Sequence, residues 1–284
     1  MSTLGERAAL APVRLPERSV GHDLRAIKVV WHRELIRFVQ DRGRLVTGLI
    51  QPVLYLFVLG TGLSSVAGGS TEGVNFRTFI FPGVLALATM FTAIFAAGSI
   101  VWDREFGFLR EMLVAPVSRG SIVVGKCLGG ATVATIQGAV MIAFAGAVGI
   151  PYSPVLILTL VFLLLVLSFT LTATGVVIAA RMKNIQTFFA VTQLFLLPMF
   201  FLSGALYPLN GLPGWLHFLT RIDPMTYAVD PMRKVVFSHL HPPIDVPGVT
   251  WGSWHVPAIV EIGIVLLVGI ALLFVAIAEF RRVE

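Results

Sequence analysis

Charge is what this sequence has least of. Asp, Glu, Lys and Arg make up only 13% of its 284 residues, against about 25% in a soluble domain. Hydrophobic residues make up 56%. So little polar surface cannot cover a water-soluble core of this size, and an integral membrane protein is the class that remains. Cysteine is nearly absent too: Cys127 stands alone, so an intrachain disulfide and a cysteine-cluster metal site are excluded. The six histidines, His22, His32, His217, His239, His241 and His255, are scattered and form no HExxH or other ligand spacing. No serine elbow and no pair of carboxylates occurs inside an apolar run, which argues against an intramembrane enzyme. Ion-coupled secondary transporters usually place ionisable residues within their spans. Here only Glu261 does so.

Six stretches are long and apolar enough to cross a bilayer: Leu45–Ala67, Phe79–Val101, Cys127–Ile150, Val155–Ala180, Thr187–Tyr207 and Val256–Ala278. The net charge of +6 is distributed with a bias. With the N-terminus inside, the inner segments hold 17 of the 21 Lys and Arg, and the outer ones hold only Arg77, Arg221, Arg233 and Lys234. By the positive-inside rule both termini are cytoplasmic, and the basic excess belongs to loops near anionic lipid rather than to nucleic-acid binding. No cleavable leader is expected, because the first apolar run follows a long basic segment.

Residues 1–21, without periodicity, read as a disordered cytoplasmic tail. Residues 22–44 place Leu24, Ile27, Trp31, Leu35 and Phe38 at spacings of three or four, on one face of an amphipathic helix expected in the inner interface. The outer region 208–255 is too apolar for a solvated loop and is interrupted at Asp223-Pro224 and Asp230-Pro231. Two short helices dipping into the outer leaflet fit it better than another span. The expected fold is therefore all-α, with six transmembrane helices, an N-terminal interface helix and a re-entrant outer helical pair before the last span.

The stretch GSIVVGKC, residues 120–127, has the glycine and lysine spacing of a phosphate-binding loop. Its interior is branched, which resists the positive φ angles of a phosphate nest, and Cys127 replaces the hydroxyl that would hold magnesium. No nucleotide domain surrounds it. Lys126 reads instead as a headgroup anchor, and Gly125, Gly129 and Gly130 as places of close helix approach.

The cytoplasmic loop 102–126 opens with WDREFGFLREMLVAPVSR, a mixed-charge segment with an apolar ridge suited to a groove on another protein. The stretch from Phe81 to Lys126 and the stretch FLSGALYPLNGLPGWLHFLTRIDPMTYAVDPMR, residues 201–233, carry a resemblance. The chain resembles the permease subunits of type-2 ABC transporters, of the daunorubicin-resistance and polysaccharide-export type. The resemblance implies a plasma-membrane exporter subunit that is not itself an enzyme. It implies a second permease chain, identical or not, and two copies of a separate ATPase that carries the ATP and Mg. No cofactor is expected on this chain. The coupling helix would comprise Asp103, Arg104, Glu105, Phe106, Gly107, Phe108, Leu109, Arg110 and Glu111. Where the family often has Asn-Pro, this chain has Asp223-Pro224. Phe188, Phe189, Phe195, Phe200, Phe201 and Tyr207 crowd the fifth span, and Phe195, Phe200, Phe201, Tyr207 and Glu261 are candidates for the substrate path. A hydrophobic or amphipathic substrate, drug-like or lipid, is expected, with a polysaccharide or lipid-linked glycan as the alternative.

The charge asymmetry fixes a testable topology. In a Cys127→Ala background, an impermeant maleimide applied to intact cells is expected to label Leu240→Cys but not Glu105→Cys. Labelling of Glu105→Cys alone would reverse the orientation.

Overall fold

The computed structural model describes residues 20–66, 70–71, 74–107, 117–209, 211–240, 248–252 and 254–282. The chain opens with α1 (Val20–Gln40), and α2 (Arg42–Leu54) follows after a break at Asp41. Pro52 lacks the backbone donor of a regular turn, and beyond it the helix widens into a π turn over Tyr55–Leu59 before α3 (Gly60–Val66). A two-residue hairpin, β1 (Ser70–Thr71) with antiparallel β2 (Val74–Asn75), leads to α4 (Phe76–Glu105). Then come α5 (Arg119–Ile142), a 3-10 turn at Gly146–Val148, α6 (Pro154–Arg181) and α7 (Ile185–Leu202). The outer region holds α8 (Gly214–Ile222), α9 (Thr226–Ser238) and the hairpin of β3 (Thr250–Trp251) with antiparallel β4 (Trp254–His255). The last helix is α10 (Ala258–Arg282).

Six membrane-length segments result, as the hydropathy pattern predicts: Leu45–Ser64, Phe76–Glu105, Arg119–Ile142, Pro154–Arg181, Ile185–Leu202 and Ala258–Arg282. The expected helical pair before the last span is present as α8 and α9. The third span differs from expectation. It begins at Arg119 rather than Cys127, and 143–150 folds into tight turns closed by Gly149 at φ 81°. The physical reason is Ser118, whose hydroxyl accepts from Ser121 N and caps the helix ahead of Lys126.

The bundle is built around α4. In its most apolar stretch 89% of residues are buried, against 17% for the first and last spans. Gly130 permits close packing at the centre. A Cβ there would stand 2.6 Å from Thr172 Cγ2 on α6 and 3.1 Å from Ala96 Cβ on α4, so three helices converge on a position without a side chain. At 1.5 Å per residue the 30 residues of α4 extend about 45 Å, well beyond an apolar layer of about 30 Å. Its last turn therefore projects past that layer.

Residues 1–19, expected as the disordered tail, lie outside the described residues; Val20 and Gly21 already belong to α1. The amphipathic helix α1 packs alongside α5, in the same direction. Asp23 accepts from Ser118 N (3.1 Å), Trp31 Nε1 donates to Thr132 Oγ1 (3.1 Å), and beyond the break Leu45 O accepts from Gln137 Nε2 (3.1 Å). Gly125 and Gly129 make the approach possible, since a Cβ at either would fall 2.8 Å from Val30 Cβ or 2.7 Å from Glu34 Cβ.

Candidate functional site

The projecting end of α4 is where charge collects. Lys126 Nζ, on α5, donates to Glu34 Oε1 of α1 (2.7 Å), to Asp103 Oδ2 of α4 (2.8 Å) and to Ser99 Oγ (2.8 Å). Arg33 Nη2 donates to the other Asp103 oxygen at 3.1 Å. Two carboxylates thus meet two cations, and Lys126, Asp103 and Glu34 are all buried. The expectation that Lys126 anchors the span at the headgroups is corrected here: the ammonium is held inside the protein by carboxylates on two other helices. Sequence reasoning also missed Glu34. It lies four residues from Val30 and from Phe38, on the stripe that α1 buries. Of the expected apolar face, Phe38 is buried, Ile27, Trp31 and Leu35 are half-buried, and Leu24 is exposed. The contact face is therefore turned toward Val30 and Glu34.

The next residues of α4 tie down two more helices. Arg104 Nη1 donates to the carbonyls of Ala179 (3.3 Å), Ala180 (3.1 Å) and Met182 (2.6 Å), where α6 ends. Glu105 Oε2 accepts from Ile185 N (3.3 Å), where α7 begins. A guanidinium at a helix C-terminus and a carboxylate at an N-terminus both match the local dipole. Of the nine residues expected in the coupling helix, Asp103 is buried and cannot face a partner, a correction that follows from its ion pair with Lys126. Arg104 is occupied by its three carbonyls. Glu105 and Phe106 are exposed, Phe106 by 71%, and Gly107 turns the chain at φ 83°. Phe108, Leu109, Arg110 and Glu111 lie outside the described residues.

The candidate path residues do not gather. Phe195 and Phe201 are exposed on α7. Phe201, Leu206, Leu54, Tyr55, Val58 and Leu59 line an open apolar groove of about 460 Å³ between the fifth and first spans. Phe200 is buried edge-on against Tyr55, and Tyr207 is half-buried beyond the end of α7. Glu261 belongs to a separate cluster. It is fully buried and accepts from Lys234 Nζ (3.2 Å), which also pairs with Asp230 at 2.8 Å. A carboxylate in an apolar bundle needs a cation, and α9 supplies one. Burial alone would lower the Lys234 pKa, but the Asp230 and Glu261 carboxylates outweigh it and hold it above the usual lysine value.

The same cluster fixes the outer segment. Asp230 Oδ2 accepts from Val249 N (3.0 Å) and Lys234 donates to Val256 O (3.1 Å), so the β3–β4 hairpin is fastened to α9. Arg221 Nη2 donates to Thr250 O (2.6 Å), and Trp251 Nε1 donates to the Tyr227 hydroxyl (3.0 Å). Between α8 and α9, Asp223 accepts from Met225 N at 3.0 Å. Burial pushes its carboxyl up to about 7, against the lowering effect of that bond and of Thr226.

The ABC-2 type transporter family model matches residues 25–237, from α1 through α9. The chain belongs to the ABC-2 type transporter family. It is 31% identical over 209 residues to the transport permease ycf38 of Cyanophora paradoxa, 71% of each chain. It is 30% identical over 223 residues to Nodulation protein J of Rhizobium leguminosarum bv. trifolii, 76% of this chain and 82% of that one. It is 27% identical to the multidrug ABC transporter permease YbhR of Escherichia coli over 57% of this chain and 44% of that one. The permease is thus the multi-span transport component of an ABC transporter, and its family works with an ABC ATPase.

Two outcomes follow from the buried charges. Lys126→Met leaves the buried Glu34 carboxylate without its cation and Asp103 with Arg33 alone, and is expected to destabilise the permease by about 3–5 kcal/mol. The triple variant with Glu34→Gln and Asp103→Asn should regain most of that, as read by thermal unfolding in detergent; equal loss in both would show that uncompensated carboxylate charge is not its cause. For Asp223, the folded pKa of about 7 lies above the unfolded value of about 3.9. The folded state binds more protons between those values, so stability falls as pH rises from about 4 to about 7 and is flat above. Asp223→Asn is expected to abolish that slope, followed by tryptophan fluorescence during unfolding.

Proposed function

We propose that this permease exports a hydrophobic or amphipathic molecule, drug-like or lipid, from the cytoplasm or inner leaflet across a bacterial plasma membrane. Two permease chains pair, each seats one ATPase chain that binds the ATP and Mg, and both termini are cytoplasmic. The observation that carries this reading is the end of α4. Three consecutive residues, Asp103, Arg104 and Glu105, grip α1 and α5, then α6, then α7. A force applied just beyond them, at exposed Phe106, reaches four helices through short polar contacts. The open apolar groove at Phe201 supports an apolar cargo.

Burial of one phenylalanine at a partner surface contributes about 1.5–3 kcal/mol. Phe106→Asp is therefore expected to weaken ATPase association roughly 10- to 100-fold, measured by pull-down of the co-expressed ATPase and by ATP hydrolysis in nanodiscs. Arg281→Glu, on the C-terminal end of α10, should leave both unchanged. Wild-type association of the Phe106 variant would remove the loop from the coupling contact.

A further inference from the structure

A second opening between the first and fifth spans differs in chemistry from the apolar groove. It has a volume of about 320 Å³ and is lined by Thr47 and Gln51 of α2, by Phe91, Thr92 and Phe95 of α4, and by Gln193 of α7. Gln51 and Gln193 are exposed, and neither amide has a partner among the described residues. Behind Gly48, which also borders the cleft, lies a third amide. A Cβ at Gly48 would stand 2.9 Å from Gln137 Nε2 and 3.9 Å from Thr92 Oγ1. Gln137 Nε2 donates to Leu45 O, but its Oε1 is buried and lacks a partner among the described residues.

The depth of this cleft makes its polarity expensive. Gln51 is six residues from the start of the first span and Gln193 eight from the start of the fifth, about 9 and 12 Å at 1.5 Å per residue. Thr92 and Gln137 each lie eleven residues from the Asp103–Lys126 pair, about 16 Å along their helices. All four positions fall within the hydrocarbon layer. Amides without partners are costly there unless something polar meets them.

Charge narrows what that something is. Among the described residues no Asp, Glu, Lys or Arg lines the cleft, so a charged group entering it would lose its hydration without gaining a counter-ion from them. Each glutamine amide offers donors and an acceptor together, which suits a hydroxyl that is itself both donor and acceptor. The Thr92 hydroxyl proton is directed to Ala88 O, which leaves its oxygen to accept. Phe91 and Phe95 form one apolar wall, their ring centroids 5.7 Å apart. The volume lies at the small end of ligand-binding pockets. We infer that this cleft receives the uncharged, hydroxyl-bearing ring of the transported amphiphile, with Gln51 and Gln193 selecting neutral over charged headgroups. The inference rests on the transport reading above and narrows its substrate class.

The test uses the intact permease–ATPase complex in nanodiscs and two photoactivatable probes with the same alkyl chain, one a glucoside and the other a trimethylammonium. The glucoside is expected to label peptides containing Gln51 or Gln193, and Gln51→Leu/Gln193→Leu to reduce that labelling about tenfold, as befits the loss of two neutral hydrogen bonds. Gln193→Glu is expected to admit the trimethylammonium probe, a gain that misfolding cannot imitate. Equal labelling by both probes in the wild type, unchanged labelling in the double leucine variant, or no gain for Gln193→Glu would overturn the assignment. So would efficient disulfide formation between two copies carrying Gln51→Cys, which would show the amides meeting across a copy-to-copy contact. ATP hydrolysis by the same complex separates the two levels. An active complex without cleft labelling overturns the cleft alone, whereas a complex that never hydrolyses ATP overturns the transport reading and the cleft with it.

Discussion

The ammonium of Lys126 is the constraint on which the inner half of this protein depends. It lies within 2.8 Å of carboxylates on α1 and α4. A buried cation cannot be left alone, so both carboxylates must stay, and with them the two helices that carry them. Arg33, bound to Asp103 at the rim, supplies the second positive charge. The cluster is thus close to neutral overall, which is the condition under which four charged groups can sit at the edge of an apolar bundle. Its value is less in net stability than in fixing one arrangement of α1, α4 and α5, because any sliding between them would separate opposite charges.

From that cluster outward several of the polar contacts fall at helix ends. Arg104 completes the carbonyls of α6, and Glu105 accepts the first amide of α7. At the other face, Lys234 joins α9, α10 and the outer hairpin through Asp230, Glu261 and Val256. Between these two belts the packing is mostly apolar, joined by a few hydrogen bonds such as Gln137 to Leu45 O, with small residues such as Gly130 and Ala96 allowing α4, α5 and α6 to meet closely. The arrangement places the buried ion pairs at the two ends, where they define position, and leaves the middle chiefly to shape.

Much of this was legible in the sequence. Six spans follow from run length alone, since no other structure hides the backbone of 20 apolar residues. The paired outer helices follow from two Asp-Pro breaks in an apolar segment. What sequence reasoning could not supply is partnership across the fold. Lys126 looks like any interfacial lysine until Glu34 and Asp103, 92 and 23 residues away, are seen beside it. Glu34 looks solvent-facing because an amphipathic pattern scores a carboxylate as polar, and that rotated the expected contact face of α1 toward Leu24. The grouping of Phe195, Phe200, Phe201, Tyr207 and Glu261 failed for a related reason. Neighbours along a helix point in different directions, and Glu261 is claimed by a lysine that only the fold brings near.

The π turn at Tyr55–Leu59 has a mechanical meaning for the first span. Wide turns of this kind interrupt the regular ladder, so the span consists of two short rods joined at the π turn. The lower rod is fastened to α5 through Leu45 and Gln137, and through α1 to the charged junction. The upper rod rests on the first turns of α4, where a Cβ at Gly60 would meet Arg77 and Ile80. The two parts of the first span are thus held by different partners, residues 45–54 by α5 and the part beyond the π turn by the start of α4.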